Sequence, residues 1–163
     1  MIECFEKEKL SWINLYRPTS EEVREVMDEV GLPVQYVGDL TSPTPRSYVQ
    51  SEKSILKLTY DIPIVKRTDV NHPLEIKFIA TKHHLITVHF ESVEAIHRFQ
   101  KEFELLSILK TPKSKATGAH LMLALMDFIY TALNEKLDYL ESKLTDIEEE
   151  IFNEREKEMV LRS

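Results

Sequence analysis

Two apolar periods divide this chain. Strand-like alternation and short helical stripes share its first two-thirds, and one unbroken helical stripe fills the rest. Residues 12–16 interleave aromatic and β-branched side chains with Asn14, which predicts a strand, and Pro18 ends it. Thr19-Ser20-Glu21-Glu22 then fits a capping box, with Thr19 as N-cap and Glu22 reaching back from three residues on. Val23, Val26, Met27 and Val30 fall on one helical face. Gly31 stands where a left-handed residue closes a helix, and Pro33 forbids continuation.

The Pro, Ser and Thr content of "GDLTSPTPRSYVQS" (38–51) predicts a loop. Residues 55–65 read as a strand interrupted near Asp61 and Pro63. Residues 74–79 alternate, "TKHH" turns, and 85–90 return as a β-prone run, so the pair predicts an antiparallel hairpin. Ser92 is expected to cap a helix whose buried face is Ile96, Phe99, Phe103 and Leu106. "KTPKSKATG" is a connector.

The last stripe is a heptad seam. Ala119, Leu123, Met126, Tyr130, Leu133, Leu137, Leu140, Leu144, Ile147 and Ile151 are spaced alternately four and three apart, and neither Pro nor Gly interrupts residues 119–163. A helix of about 38 residues would be roughly 57 Å long. A domain of this size has a radius of gyration of about 15 Å. The helix is therefore expected to project and its seam to need a partner, either a helix folding back or another subunit. Met159, Val160 and Leu161 restart an apolar pattern, which predicts a fragment cut within a helical hairpin. The expected fold class is α/β (α+β), a mostly antiparallel or mixed sheet flanked by helices and followed by one long coiled-coil-like helix. The expected division is 1–112 for the α/β domain and 113–163 for the long helix and the truncated start of its antiparallel partner.

Composition narrows the function classes. The 163 residues carry a net charge of −7, which argues against nucleic acid as a partner. Residues 134–158 hold most of the excess, with ten acidic against four basic side chains. Cys4 is the single cysteine, so no internal disulfide or cysteine-cluster metal site can form, and a reducing compartment is expected. No stretch approaches 18 uninterrupted apolar residues, and the first ten residues are too charged for a signal peptide.

Catalytic chemistry finds little footing. Three glycines cannot build a phosphate-cradling loop, no G-x-S-x-G occurs, and Cys4 has no His close in sequence. His83 and His84 are adjacent and His89 shares their hairpin, but His84 points opposite to the other two, so the three do not converge and are expected at turns and on the surface. The acidic run "DIEEEIFNEREKE" offers oxygen ligands to hard cations, yet it also suits a solvated helix face. Asp39 lies in a loop after a glycine. Asp127 interrupts the apolar "LMLALMDFIYTAL" and must face water, a partner or a cation.

The order of these parts resembles the cytosolic domain of CorA-type magnesium channels. The similar stretches are "WINLYRPTSEEVREVMDEVGLP", Gly38-Asp39-Leu40, Pro45-Arg46, "LITVHF" and "LMDFIYTALNEKLDYLESKLTDIEEEIF", which together cover most of residues 11–155. The resemblance implies a pentameric funnel, with two membrane spans per subunit and a Gly-Met-Asn signature between them. It further implies acidic residues at subunit boundaries that bind Mg²⁺ and hold the pore closed. Asp39 and Asp127 best match those acids by motif. The family's usual Glu-Asp is Gly38-Asp39 here, and the stalk helix, spans and signature are absent from this sequence. The implied function is the regulatory, Mg²⁺-sensing domain of a divalent metal channel on the cytoplasmic face of the membrane. It is not an enzyme. The cation would be Mg²⁺, or else Co²⁺, Ni²⁺ or Zn²⁺, bound weakly or incompletely in this fragment. The fragment itself would be a monomer or dimer, and would meet the membrane only through the missing segments. The alternative is a soluble α/β dimerisation or scaffold module that pairs through its long heptad helix.

Overall fold

The computed structural model describes residues 1–7, 9–42, 47–61, 75–103 and 116–163. The 112/113 division, Pro45-Arg46, Pro63 and Leu106 lie outside the described residues. Among the described residues six strands form one sheet: β1 (Ile2–Lys7), β2 (Leu10–Tyr16), β3 (Tyr48–Glu52), β4 (Ile55–Asp61), β5 (Glu75–Ala80) and β6 (His84–His89). Their order is β1-β2-β6-β5-β4-β3. All neighbours pair antiparallel except β2 and β6, which run parallel with Ile13 opposite Ile86 and Leu15 opposite Val88. The helices are α1 (Ser20–Val30), α2 (Tyr36–Thr41), α3 (Glu94–Phe103) and α4 (Gly118–Arg162). The mixed sheet and long last helix agree with the expected fold class.

Alternation along the strands sends one set of side chains to each face. Ile13, Leu15, Ile79, Ile86 and Val88 form one face, against Val23, Val26 and Met27 of α1 and Tyr36, Val37 and Leu40 of α2. The other face carries an aromatic stack. Trp12 lies 5.0 Å from Phe5 and 5.1 Å, edge-on, from Phe99 of α3. Phe128 of α4 meets Phe99 edge-on at 5.2 Å. The first turns of α4 therefore share the α3 side, with Leu121, Met122 and Leu125 buried.

The caps of α1 form as the sequence predicts. Glu22 N–H donates to Thr19 Oγ1, Thr19 N–H donates to the Glu22 carboxylate, and Gly31 takes φ +71°. Two expectations change, at 38–51 and at Ser92, and two further features appear. Residues 38–41 belong to α2 rather than to a loop, because Tyr36, Val37 and Leu40 make one buried stripe that outweighs the polar composition, and 48–52 form β3 by antiparallel pairing with β4. Residues 2–7 form a strand. The α3 helix begins at Glu94, so Ser92 lies before it, its hydroxyl 3.5 Å from His97 Nε2. Leu123, assigned to the seam, is exposed while its neighbours Leu121 and Met122 are buried, so the core face of α4 and the heptad stripe are different faces of that helix.

The described chain forms two compact units, Met1–Phe128 and Ile129–Ser163. The second is the continuation of α4. The helix has 45 residues, about 68 Å at 1.5 Å per residue, and Met159 to Leu161 stay within it. Among the described residues no helix is long and apolar enough to cross a membrane.

Candidate functional site

Asp39 sits on α2, a six-residue helix set down directly after the Gly31 and Pro33 stops of α1. The apolar side of α2 faces the core, so Asp39 is left half-exposed at the sheet's β4–β5 side. Its Oδ2 accepts from Lys57 Nζ of β4 at 2.6 Å. That lysine is nearly buried, with its ammonium 4.5 Å from the centre of the Tyr36 ring. Lys77 Nζ of β5 donates to the carbonyl oxygens of Asp39 and Ser42. These are carbonyls at the end of α2, where helical bonding runs out and positive charge is favoured. Glu75 Oε1 lies 3.5 Å from the same ammonium. Burial pushes the Lys77 pKa down, and the Glu75 carboxylate beside it opposes that shift.

This arrangement is a charge lattice, not a reaction centre. Two lysines, a glutamate and an aspartate satisfy one another under a short helix. A divalent cation approaching Asp39 meets a carboxylate that already has an ammonium partner. The sequence reading missed Lys57, Lys77 and Glu75. Alternation over 74–79 left the surroundings of Glu75 and Lys77 open, and every residue of β5 is buried. A single lysine among the apolar residues of each strand was the available signal. Its meaning depends on α2, which composition had hidden.

Asp127 is exposed on α4. It precedes Phe128, which packs on Phe99. Asp39 and Asp127 therefore stand on opposite sides of the sheet, and one chain does not bring them together. Among the described residues no group of three His, Cys, Asp or Glu side chains could hold a metal ion. His84 and His89 point to opposite faces of β6, as the alternation requires. His89, however, is buried rather than at the surface. Its Nδ1 donates to the Glu91 carbonyl at 2.7 Å, and its Nε2 has no partner among the described residues.

A buried relay lies beside it. Trp12 Nε1 donates to Thr87 Oγ1 at 3.0 Å, and Thr87 donates in turn to Asn14 Oδ1 at 2.8 Å. Asn14 Nδ2 and Gln100 Nε2 both donate to Glu3 Oε2, at 3.2 and 2.5 Å. The Trp-Ile-Asn and Thr-Val-His stretches are thus joined to each other, to β1 and to α3.

The family model described as "CorA-like Mg2+ transporter protein" matches residues 7–163. The chain belongs to the CorA-like family. Solved CorA-like structures share its fold. The complete CorA magnesium transporter from Methanocaldococcus jannaschii aligns with TM-score 0.67 and 19% identity, over 90% of this chain and 45% of that one. The soluble domain of CorA from the same organism gives TM-score 0.69 and 20% identity, over 88% and 56%. The ZntB cytoplasmic domain from Vibrio parahaemolyticus gives 0.63 and 16%, over 86% and 55%. The chain spans about half the length of these CorA-like structures. No curated protein matches it. The matching family model is described as that of a transporter.

Proposed function

We propose that this chain is the cytosolic, Mg²⁺-sensing regulatory domain of a CorA-like divalent cation channel. Asp39 and Asp127 are its cation-facing acids, and Mg²⁺ is the regulatory ion. The domain is read as 1–112, with 113–163 as its helical extension. One observation carries the reading: the family match over residues 7–163, on a fold shared with the soluble domain of a CorA magnesium transporter.

The positions of the two acids suit a ring. Subunits that assemble head to tail bring one side of each against the opposite side of the next, and such contacts close into cyclic assemblies. Asp39 of one subunit and Asp127 of another can then meet, although within one chain the sheet divides them. A cation shared there holds the boundary. When it leaves, the carboxylates repel across a short gap and the boundary loosens. Lys57 competes with the cation at Asp39, so the expected affinity is modest. The expected assembly is a homopentamer reaching the membrane through segments beyond this sequence.

The experiment is Mg²⁺-dependent protection from limited proteolysis in the membrane-embedded assembly. Protection should fall in Asp39→Asn and in Asp127→Asn. Unchanged protection in both variants would remove these acids from the sensing site.

A further inference from the structure

We propose, on the cation-sensing reading of this chain, that the Lys57 ammonium is a tethered stand-in for the divalent cation. It takes the Asp39 carboxylate when the cation leaves, and so sets the concentration at which the subunit boundary responds. Lys57 and Lys77 lie on neighbouring strands, and each meets α2 in its own way. Lys77 Nζ donates to the backbone carbonyls of Asp39 and Ser42, so it holds the end of the helix whichever partner the Asp39 side chain has. Lys57 Nζ meets the side chain itself, 2.6 Å from Oδ2.

The pair is lopsided. The Lys57 side chain is 9% exposed and that of Asp39 47%. A hydrated divalent cation can therefore reach the carboxylate from solvent while the lysine stays inside the protein. An ion pair between two exposed side chains contributes little, because both are screened and free to wander. Lys57 is neither, and its ammonium lies 4.5 Å from the centre of the Tyr36 ring, whose face favours a cation. The ring keeps the ammonium beside the carboxylate when the carboxylate changes partner. A competitor on the same chain acts at a fixed local concentration, whereas that of the ion varies.

Charge balance gives the lysine a second effect. Lys57, Lys77, Asp39 and Glu75 are two ammoniums against two carboxylates. A divalent cation at Asp39 adds two positive charges to that balanced group, so it is held only where another acid arrives from across the boundary. After the cation leaves, Lys57 neutralises Asp39 and limits the repulsion between the facing carboxylates. The lysine thus raises the cation concentration needed to close the boundary and restrains its opening.

The test titrates Mg²⁺ against limited proteolysis of the membrane-embedded assembly. Lys57→Met keeps a straight apolar stem and removes the charge. Its midpoint of protection should fall about tenfold in Mg²⁺, and its protection without Mg²⁺ should drop below that of the parent. Lys57→Gln should move the same way, and Lys57→Arg, which keeps the charge, should stay near the parent. Asp39→Asn with Lys57→Met should show no gain over Asp39→Asn alone. Destabilisation by itself would lower protection at every Mg²⁺ concentration and give no lower midpoint. Neutral variants that titrate like the parent, a midpoint that rises, or a gain that survives in the Asp39→Asn background would each overturn the role of Lys57. If Asp39→Asn loses protection while the Lys57 variants match the parent, the sensing acid stands and the stand-in falls. If Asp39→Asn and Asp127→Asn are both protected like the parent, the sensing site falls and the stand-in with it.

Discussion

Thr87 uses its hydroxyl twice, accepting from the Trp12 indole and donating to Asn14. Both partners are buried. Thr87→Val keeps the shape and removes both bonds, leaving an indole N–H and an amide oxygen without partners. The expected loss is about 1–3 kcal/mol for each group left unsatisfied, partly relieved by relaxation, and urea unfolding measures it. His89 supplies a pH dependence. Its ring is 2% exposed, its Nδ1 proton is committed to the Glu91 carbonyl, and Tyr16 lies against it at 5.1 Å. Burial holds its pKa below the ordinary 6.5, nearby His97 pushes the same way, and the Glu91 carbonyl and Glu3 oppose. The folded pKa is thus below the unfolded one. Stability is full above the unfolded value and falls as the pH drops below it, because the unfolded chain takes up the proton first. His89→Gln keeps a donor without a titrating ring. Its stability should fall less than that of the parent between about pH 7 and pH 5.

Among the elements, α1 was fully written in the chain. Thr19, Glu22, Gly31 and Pro33 act on backbone within a few residues, so their meaning needs no distant partner. The β5–β6 hairpin was also legible, since apolar alternation and a tight turn are local facts. The strand β1, the helix α2 and the buried side of β4 and β5 were not. Each is defined by what lies across from it: β1 by its pairing with β2, α2 by the core under Tyr36 and Leu40, and Lys57 and Lys77 by α2. Asp39 was legible as a position but not in its state, because its partner lies 18 residues away. Gly118 likewise gains its meaning from the fold. Its N–H donates to the Thr81 carbonyl, and a Cβ there would lie 2.0 Å from the His84 carbonyl oxygen. Gly118→Ala must therefore push the start of α4 off the β5–β6 turn. Gly31→Ala meets no atom within 4 Å and carries only the strain of a left-handed alanine. Thermal unfolding should rank them clearly, with about 1 kcal/mol lost at Gly31 and more than 2 kcal/mol at Gly118.

At the scale of the whole molecule, the described chain divides into two compact units. The Met1–Phe128 unit holds both candidate acids, on opposite sides of one sheet. The Ile129–Ser163 unit holds the uncovered stripe and its flanking charges. The proposed cation site would need a head-to-tail boundary between unlike sides. The sequence showed both features as patterns. The placement of the acids became readable only when the sheet came between them.

The parallel pairing of β2 with β6 also fixes an order of assembly. Asn14 and Thr87, which face each other across it, are 73 residues apart in the chain. The β1–β2 pair can close early, because its strands adjoin in sequence, while the edge of β2 must wait for β6. Until then Trp12, Ile13 and Leu15 stand on a strand with one open side. Closing so long a loop is the slow kind of contact, and an apolar edge left open meanwhile invites pairing with other chains. A nascent chain would carry that exposed edge until the last strand of its sheet had been made.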